Sequence, residues 1–372
     1  MQSFKHILRE VYFLFRKILL HTFFQKRKVT KIIRDRISSI VIIRVDRIGD
    51  LVISLPAMKA FKDIFPQARL SVMVRKTNAP ILKDIPWIDE VICYEGFFRS
   101  IDILRRKRFD MVVDLIMDYM IKTALISFYS KSVLSVGFDI EGRGATFNLA
   151  LSPSKQEKHM SKHLLDLTRA VAKASFYEED IQNTEPVLFV SEERKSFADL
   201  FLQGHNIDKD DMLFSMHPGG FYASQCWPIE YFAELGRMIT KRYKAKIIII
   251  GSAKEESLVK KLGHLIGMNA LVVVGLPLDK LASIIAKTRV FIGNNSGPLH
   301  IAAALNVPTV STMGPTDPHL WWPCGDKNIV VRHGPACAPC GLGFCNGHIC
   351  MKSITPGEVK QAIDTQMERL RC

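Results

Sequence analysis

Two hydrophobic periods alternate along the chain. Short apolar runs read as buried strands in the first half: residues 39–45 (Ser-Ile-Val-Ile-Ile-Arg-Val), Leu70–Val74, Val91–Tyr94 and Met111–Leu115. Between them apolar residues recur at helical spacing. One such helix is predicted over Leu51–Phe65, with Leu51, Leu55, Met58 and Phe61 on one face, Pro56 in its first turns and Pro66 at its end. A long helix over His159–Ala174 closes this half, and the polar stretch Glu178–Pro186 reads as a linker. The second half repeats the alternation. Its strands are Leu213–Met216, Lys246–Ile250, Leu271–Val274, Val290–Ile292 and Thr309–Thr312. Its helices are Pro228–Tyr243, Lys254–Ile266, Leu278–Ala286 and a last one from about Pro356 to Leu370. This alternation predicts an α/β protein with a mostly parallel sheet in each half. Ligands of such sheets bind at the carboxyl ends of the strands, where His217, Gly251, Gly275, Gly293 and Gly314 fall.

One stretch, Ile292-Gly-Asn-Asn-Ser-Gly-Pro-Leu-His300, has the order strand, small polar loop, helix. Pro298 suits the first helical position, and Ser296 or Gly297 can cap. A helix start offers unpaired N–H groups and the positive end of the dipole, which together favour a phosphate. The spacing alone equally fits a plain capped helix.

The amino terminus has a different pattern. Ile7, Leu8, Val11, Phe15, Ile18 and Leu19 recur at helical spacing, with Lys5, Arg9, Glu10, Arg16 and Lys17 towards the other face. Charge sharpens this. The 372-residue chain carries net +14, and residues 1–36 hold ten Lys/Arg against two acidic residues. A basic amphipathic helix rich in Phe and Leu suits an anionic membrane surface. The alternative is a helix packed on its own domain. The run Val11–Phe24 is interrupted by Arg16, Lys17 and His21 and has no small-residue cleavage site, so it does not read as a signal peptide. No stretch reaches the ~18 apolar residues of a membrane span. The expectation is a cytoplasmic protein, peripheral on the inner face of the cell membrane.

Hydrophobic residues make up 48% and charged residues 24%, which fits two globular domains rather than a disordered chain. The runs Arg105–Arg108 and Asp208–Asp211 read as solvated surface. No G-x-G-x-x-G follows the first strand, and there is neither a P-loop nor a G-x-S-x-G elbow. Nucleic acid is not an expected partner, because no aromatic-basic motif accompanies the charge. Eight cysteines in a cytosolic chain argue against a disulfide framework. Four cluster as Cys337, Cys340, Cys345 and Cys350, with His348 between, a spacing that allows a structural Zn²⁺. Cys93, Cys226, Cys324 and Cys372 show no partner pattern.

Four motifs occur in order: Arg47-Ile-Gly-Asp50, His217-Pro-Gly219 with Trp227-Pro228, Asn294-Asn-Ser-Gly-Pro-Leu-His300, and Gly314-Pro-Thr-Asp-Pro318. With them the chain resembles, from about Ser39 to its end, the heptosyltransferases of lipopolysaccharide synthesis, glycosyltransferase family 9. The resemblance implies a GT-B fold, two Rossmann-like domains facing each other across a cleft. It also implies a metal-independent inverting enzyme. Heptose, or a related sugar, would pass from an ADP-activated donor to a lipid-linked acceptor in the lipopolysaccharide inner core. The organisation is then a membrane-associating segment over 1–37, an acceptor domain over 38–180, a nucleotide-sugar domain over 187–355 and a carboxyl-terminal helix over 356–372.

Transfer with inversion needs a base on the acceptor hydroxyl, charge stabilisation at the departing diphosphate, and orientation of both substrates. The resemblance places the base at Asp50, whose other reading is a helix N-cap. Arg47 and Gly49, with Arg44, would face the acceptor. Donor contacts are expected from His217, Ser224, Gln225, Asn295, Ser296, Gly297 and His300, and from Glu255 on the nucleotide ribose, with Glu256 as the competing residue. In relatives a lysine usually stands where Gln225 does, and an acidic residue often stands at Asn295. A neutral Gln225 leaves a second function open, a catalytically impaired membrane-associated nucleotide-sugar or glycan-binding relative.

Overall fold

A computed structural model describes residues 2–181 and 184–370, with side chains from residue 8 onward. The side chains of Lys5 and Ile7, and the whole of Cys372, lie outside these described residues. Packing divides the chain into two compact units, Met1–Thr184 and Glu185–Cys372.

Unit 1 holds strands β1 (Ser39–Ile43), β2 (Arg69–Val74), β3 (Glu90–Cys93), β4 (Met111–Asp114), β5 (Leu134–Phe138) and β6 (Leu149–Leu151). They pair in parallel in the order β3-β2-β1-β4-β5-β6. Ile40 to Ile43 are fully buried, as expected of a β-branched central strand covered on both faces. Unit 2 holds β7 (Leu213–His217), β8 (Lys246–Gly251), β9 (Ala270–Val274), β10 (Val290–Asn294), β11 (Thr309–Thr312) and β12 (Asn328–Val331). Their order, β12-β11-β10-β7-β8-β9, is the same doubly wound arrangement. Each sheet therefore reverses strand order at one place, between β1 and β4 and between β7 and β10, which is where ligands bind in such sheets.

Two expectations need correction. The single helix over Leu51–Phe65 is two helices, Ile48–Ile53 and Leu55–Ile64, broken at Ser54. Pro56 has no N–H to give the turn before it, and its ring crowds that carbonyl. The Ser54 hydroxyl and N–H fold back on the Leu51 carbonyl instead, at 2.6 and 3.1 Å. The alternation also passed over β5, β6 and β12. In β5 a serine and a glycine interrupt the apolar run, and the apolar runs of β6 and β12 are only three residues long, with every residue of both strands half-buried. Gly137 in β5 is needed because a Cβ there would lie 2.5 Å from the Phe147 ring.

The carboxyl-terminal helix, Pro356–Arg369, starts from a Thr355–Glu358 capping box and buries Val359, Ile363 and Met367 in the unit 2 core.

Candidate active site

In unit 1, Arg44 leaves β1 with its guanidinium buried. It donates to the Asp50 carbonyl from Nε (3.2 Å) and Nη2 (3.1 Å), and to the Leu115 carbonyl from Nη1 (2.6 Å). It also pairs with Asp46 at 3.3 Å and lies 3.9 Å from the Asp50 carboxylate. Arg44 thus holds β1, β4 and the next helix together. Asp50 is the third residue of the helix Ile48–Ile53, and Arg47 is the N-cap, so the N-cap reading of Asp50 falls away. Its side chain is 9% exposed, with Oδ2 accepting from Arg47 Nε at 2.9 Å. Gly49 is buried beside it. Asp46 completes the group. Its burial, only partly offset by Arg44 and reinforced by the charge of Asp50, pushes its carboxyl up to about 6. Its Oδ1 is buried and finds no hydrogen-bond partner among the described residues.

Sequence reasoning missed a second pair at this edge. Arg143 and Asp114 are both fully buried and meet at 2.6 Å, and Arg143 also donates to the Ile116 and Asp118 carbonyls. An aspartate closing the apolar run Met-Val-Val-Asp114 was the available signal.

In unit 2 the centre is Asn294, the last residue of β10 and fully buried. Its amide donates to the Pro218 and Gly219 carbonyls at 2.8 and 2.9 Å. Its Oδ1 accepts from the Trp227 N–H and the Thr312 hydroxyl, both at 2.9 Å. One side chain thereby fixes the loop after β7 against the ends of β10 and β11. Its neighbour Asn295, the residue singled out from sequence, is half-buried and makes no side-chain hydrogen bond among the described residues.

His217 stands between two partners: Nδ1 meets the Ser296 hydroxyl at 3.0 Å and Nε2 faces Glu255 at 3.4 Å. Ser296 is the N-cap of the helix Gly297–Ala304, but its hydroxyl is turned to His217 and makes no cap bond. The Gly297 N–H at the helix start has no intrahelical acceptor, and Pro298 has no N–H to offer. Glu255 also accepts from the Ser252 N–H and hydroxyl at 2.8 and 2.7 Å. Burial alone would raise this carboxyl, but the His217 hydrogen bond and charge, with the two Ser252 bonds, hold it at about 2. Glu256 points into solvent and pairs with Lys260 at 2.6 Å, which leaves Glu255 as the carboxylate of this edge. Gly219 leaves room for this carboxylate, because a Cβ there would lie 1.8 Å from Glu255 Oε1 and push it aside. His300 is buried on the first turn of its helix.

Gln225 donates to the Thr316 hydroxyl at 3.1 Å. Ser224 is buried; its hydroxyl bonds the Leu342 carbonyl and its own carbonyl meets His348 Nε2 at 2.9 Å. The cysteine-rich loop therefore braces the Tyr222–Gln225 turn. The structural zinc that the cysteine spacing allows finds no assembled site: among the described residues no group of three or more His, Cys, Asp or Glu is arranged to hold a metal ion. Cys337, Cys340 and Cys345 are exposed, whereas Cys350 is buried against Gly314 beside Met351. Burial, then the neighbouring cysteines, push the Cys350 thiol up.

Residues 97–343 match the profile of glycosyltransferase family 9 (heptosyltransferase). The chain belongs to this family and is a glycosyltransferase. It is 25% identical over 326 residues to lipopolysaccharide heptosyltransferase 2 of Escherichia coli (strain K12), spanning 79% of this chain and 87% of that one. Among solved structures, the E. coli ADP-heptose lipopolysaccharide heptosyltransferase II superposes with TM-score 0.75 at 22% identity, covering 90% of this chain and 100% of that one. A family 9 glycosyltransferase from Veillonella parvula superposes with TM-score 0.78 at 18% identity, covering 91% and 99%. The family and these folds agree with the GT-B expectation of two Rossmann-like domains.

Proposed function

We propose that the chain is an inverting heptosyltransferase that uses ADP-heptose and an inner-core lipopolysaccharide acceptor. Family membership and the relatives' names support the sugar and donor. The observation that carries the chemistry is Asp50, a nearly buried carboxylate held at the unit 1 switch point by Arg47. In this reading Asp50 takes the proton as the acceptor hydroxyl attacks the anomeric carbon. The bond from that carbon to the donor phosphate oxygen breaks on the opposite face, and ADP leaves. The developing diphosphate charge is met by the Gly297 helix start, His217 and the Gln225 amide, so no metal is needed. Glu255 takes the donor ribose by the logic of the acidic residue in a dinucleotide site. A nucleotide-activated donor is made in the cytoplasm, so the reaction belongs on the inner face of the cell membrane.

The test is transfer from ADP-heptose to an inner-core acceptor, wild type against Asp50→Ala. The expected result is a folded variant with at least ~100-fold lower turnover. One observation favours a second reading, a nucleotide-sugar-binding relative: Gln225 is neutral and tied to Thr316. Donor binding without transfer by the wild type would establish that instead.

A further inference from the structure

The helix Gln2–Phe23 is attached to unit 1 by a narrow face. Phe13, Arg16 and Leu20 are buried at 6, 6 and 2% exposure. This corrects the placement of Arg16 on the polar face. Its guanidinium instead donates to three carbonyls of the sheet edge, Tyr119 at 2.7 Å, Glu141 at 2.8 Å and Ile140 at 3.2 Å, and stacks 5.0 Å over the Phe13 ring. Gly142, at φ +84°, lets the helix backbone approach; a Cβ there would lie 2.9 Å from Lys17 Cα. The helix cannot roll without breaking these bonds, so its other face is fixed outward. That face carries the apolar stripe. Leu8, Val11, Leu14, Phe15, Ile18 and Phe23 are 53 to 70% exposed. On a helix they form one continuous arc of about half the circumference. Exposed apolar surface of this extent marks an interaction face.

We propose that this face lies in the headgroup layer of an anionic lipid bilayer. Charge selects the occupant. Residues 1–36 carry ten basic side chains against two acidic ones, and Arg27, Lys31 and Arg36 are exposed. A second copy of the chain would set this basic segment against itself across a two-fold axis, whereas anionic headgroups neutralise it. No described helix is long and apolar enough to cross a membrane, so the helix lies on the surface. Position adds a consequence. Arg16 is anchored on the segments after β4 and β5, the sheet edge from which Asp50 projects after β1. Docking therefore turns the Asp50 edge of unit 1 toward lipid, where a lipid-linked acceptor is displayed; this clause alone rests on the proposed transfer reaction.

The experiment is co-sedimentation of the full chain with vesicles of phosphatidylcholine alone or with about 30% phosphatidylglycerol. Expected are binding to the anionic vesicles, weakening with salt, and at least ~10-fold weaker binding by the doubly substituted Phe15→Glu, Ile18→Glu chain. Both side chains are exposed, so its thermal midpoint should match the wild type. The proposal is overturned if the wild type ignores anionic vesicles or the double variant binds them equally well. It is also overturned if the substitutions dissociate a wild-type dimer in sedimentation velocity without changing vesicle binding. A transfer assay then compares a vesicle-embedded acceptor with a soluble core oligosaccharide. Loss in the double variant confined to the embedded acceptor supports the orientation, and equal rates on both refute it. Absence of transfer by the wild type from either acceptor refutes the reaction, while the vesicle result still judges the docking.

Discussion

The two units wind their strands in one order, yet their switch points are furnished in contrasting ways. Between β1 and β4, Arg44, Asp46, Arg47 and Asp50 form a chain of ion pairs at 3.3, 3.9 and 2.9 Å, backed by the buried Arg143–Asp114 pair. Between β7 and β10 the scaffold is neutral: the Asn294 amide, the Ser296 hydroxyl and glycines, with Glu255 facing His217 as the one acidic contact among the described residues. Guanidinium groups beside buried carboxylates offset part of the cost of burying their charge, and unit 1 supplies them where its proposed base sits. A unit that receives a diphosphate meets a ligand bringing its own charge. Its better device is a set of uncharged N–H donors already in place. Topology chooses where each site lies, and the side chains choose what it does.

The sharpest way to break this comparison is to neutralise the base. Asp50→Asn keeps the shape and loses the proton acceptor. Transfer should fall by about 10²–10⁴-fold, while donor affinity measured by calorimetry stays as in the wild type. A parallel loss of donor affinity would show that the division of labour between the units is wrong.

The matching change in unit 2 is Asn294→Ala. It strands the Pro218 and Gly219 carbonyls and the Trp227 N–H in a dry site. Unfolding free energy should drop by about 2–4 kcal/mol, read by denaturant titration, with weaker donor binding in the surviving folded protein. Asn295→Ala should change stability little.

These two residues also mark what the sequence discloses. The position of Asp50, just after the first strand, was legible from the apolar run before it, whereas its proposed role came only from the resemblance. Asn294 was not legible, because two adjacent asparagines are equivalent in a sequence. Only the strand's extension to residue 294 puts the first under the loop and leaves the second half-buried outside it. The amino-terminal helix shows the same limit. Its spacing identified an apolar stripe, but a buried arginine can be told from an exposed one only when the carbonyls that receive it are in view. The cysteine spacing rightly put the four thiols near one another, but it could not show that Cys350 is buried under Gly314 while the other three are exposed. The doubly wound order was only partly readable, since edge strands as short as Leu149–Leu151 carry too little pattern to register.

A smaller effect is expected from Glu255→Gln, which removes the negative charge opposite His217 and leaves a similar shape. If Glu255 holds the ribose, donor affinity falls by about tenfold, the worth of one hydrogen bond to a charged group. The stability profile changes too. The Glu255 carboxyl is held at about 2, below its ordinary range, so its stabilising contribution is full above that range and is lost as pH falls towards 2. The glutamine variant should lack that acid-side slope. An unchanged slope would mean that the His217 contact contributes nothing to the fold.

The subtlest test returns to unit 1 and asks whether its charges act together. Asp46 is raised to about 6, so its proton stabilises the folded chain. Stability from this residue is present in the ordinary carboxylate range and is lost as pH rises to about 6. Ionisation there places a second negative charge beside Asp50, where the attacking hydroxyl would give up its proton. The wild-type kcat/KM should therefore gain a rising limb through pH 6, and Asp46→Asn should flatten both that limb and the opposing stability slope. Arg44 and Arg47 face the same group. Coincident profiles for the two proteins would separate Asp46 from the base and reduce the unit 1 network to a scaffold.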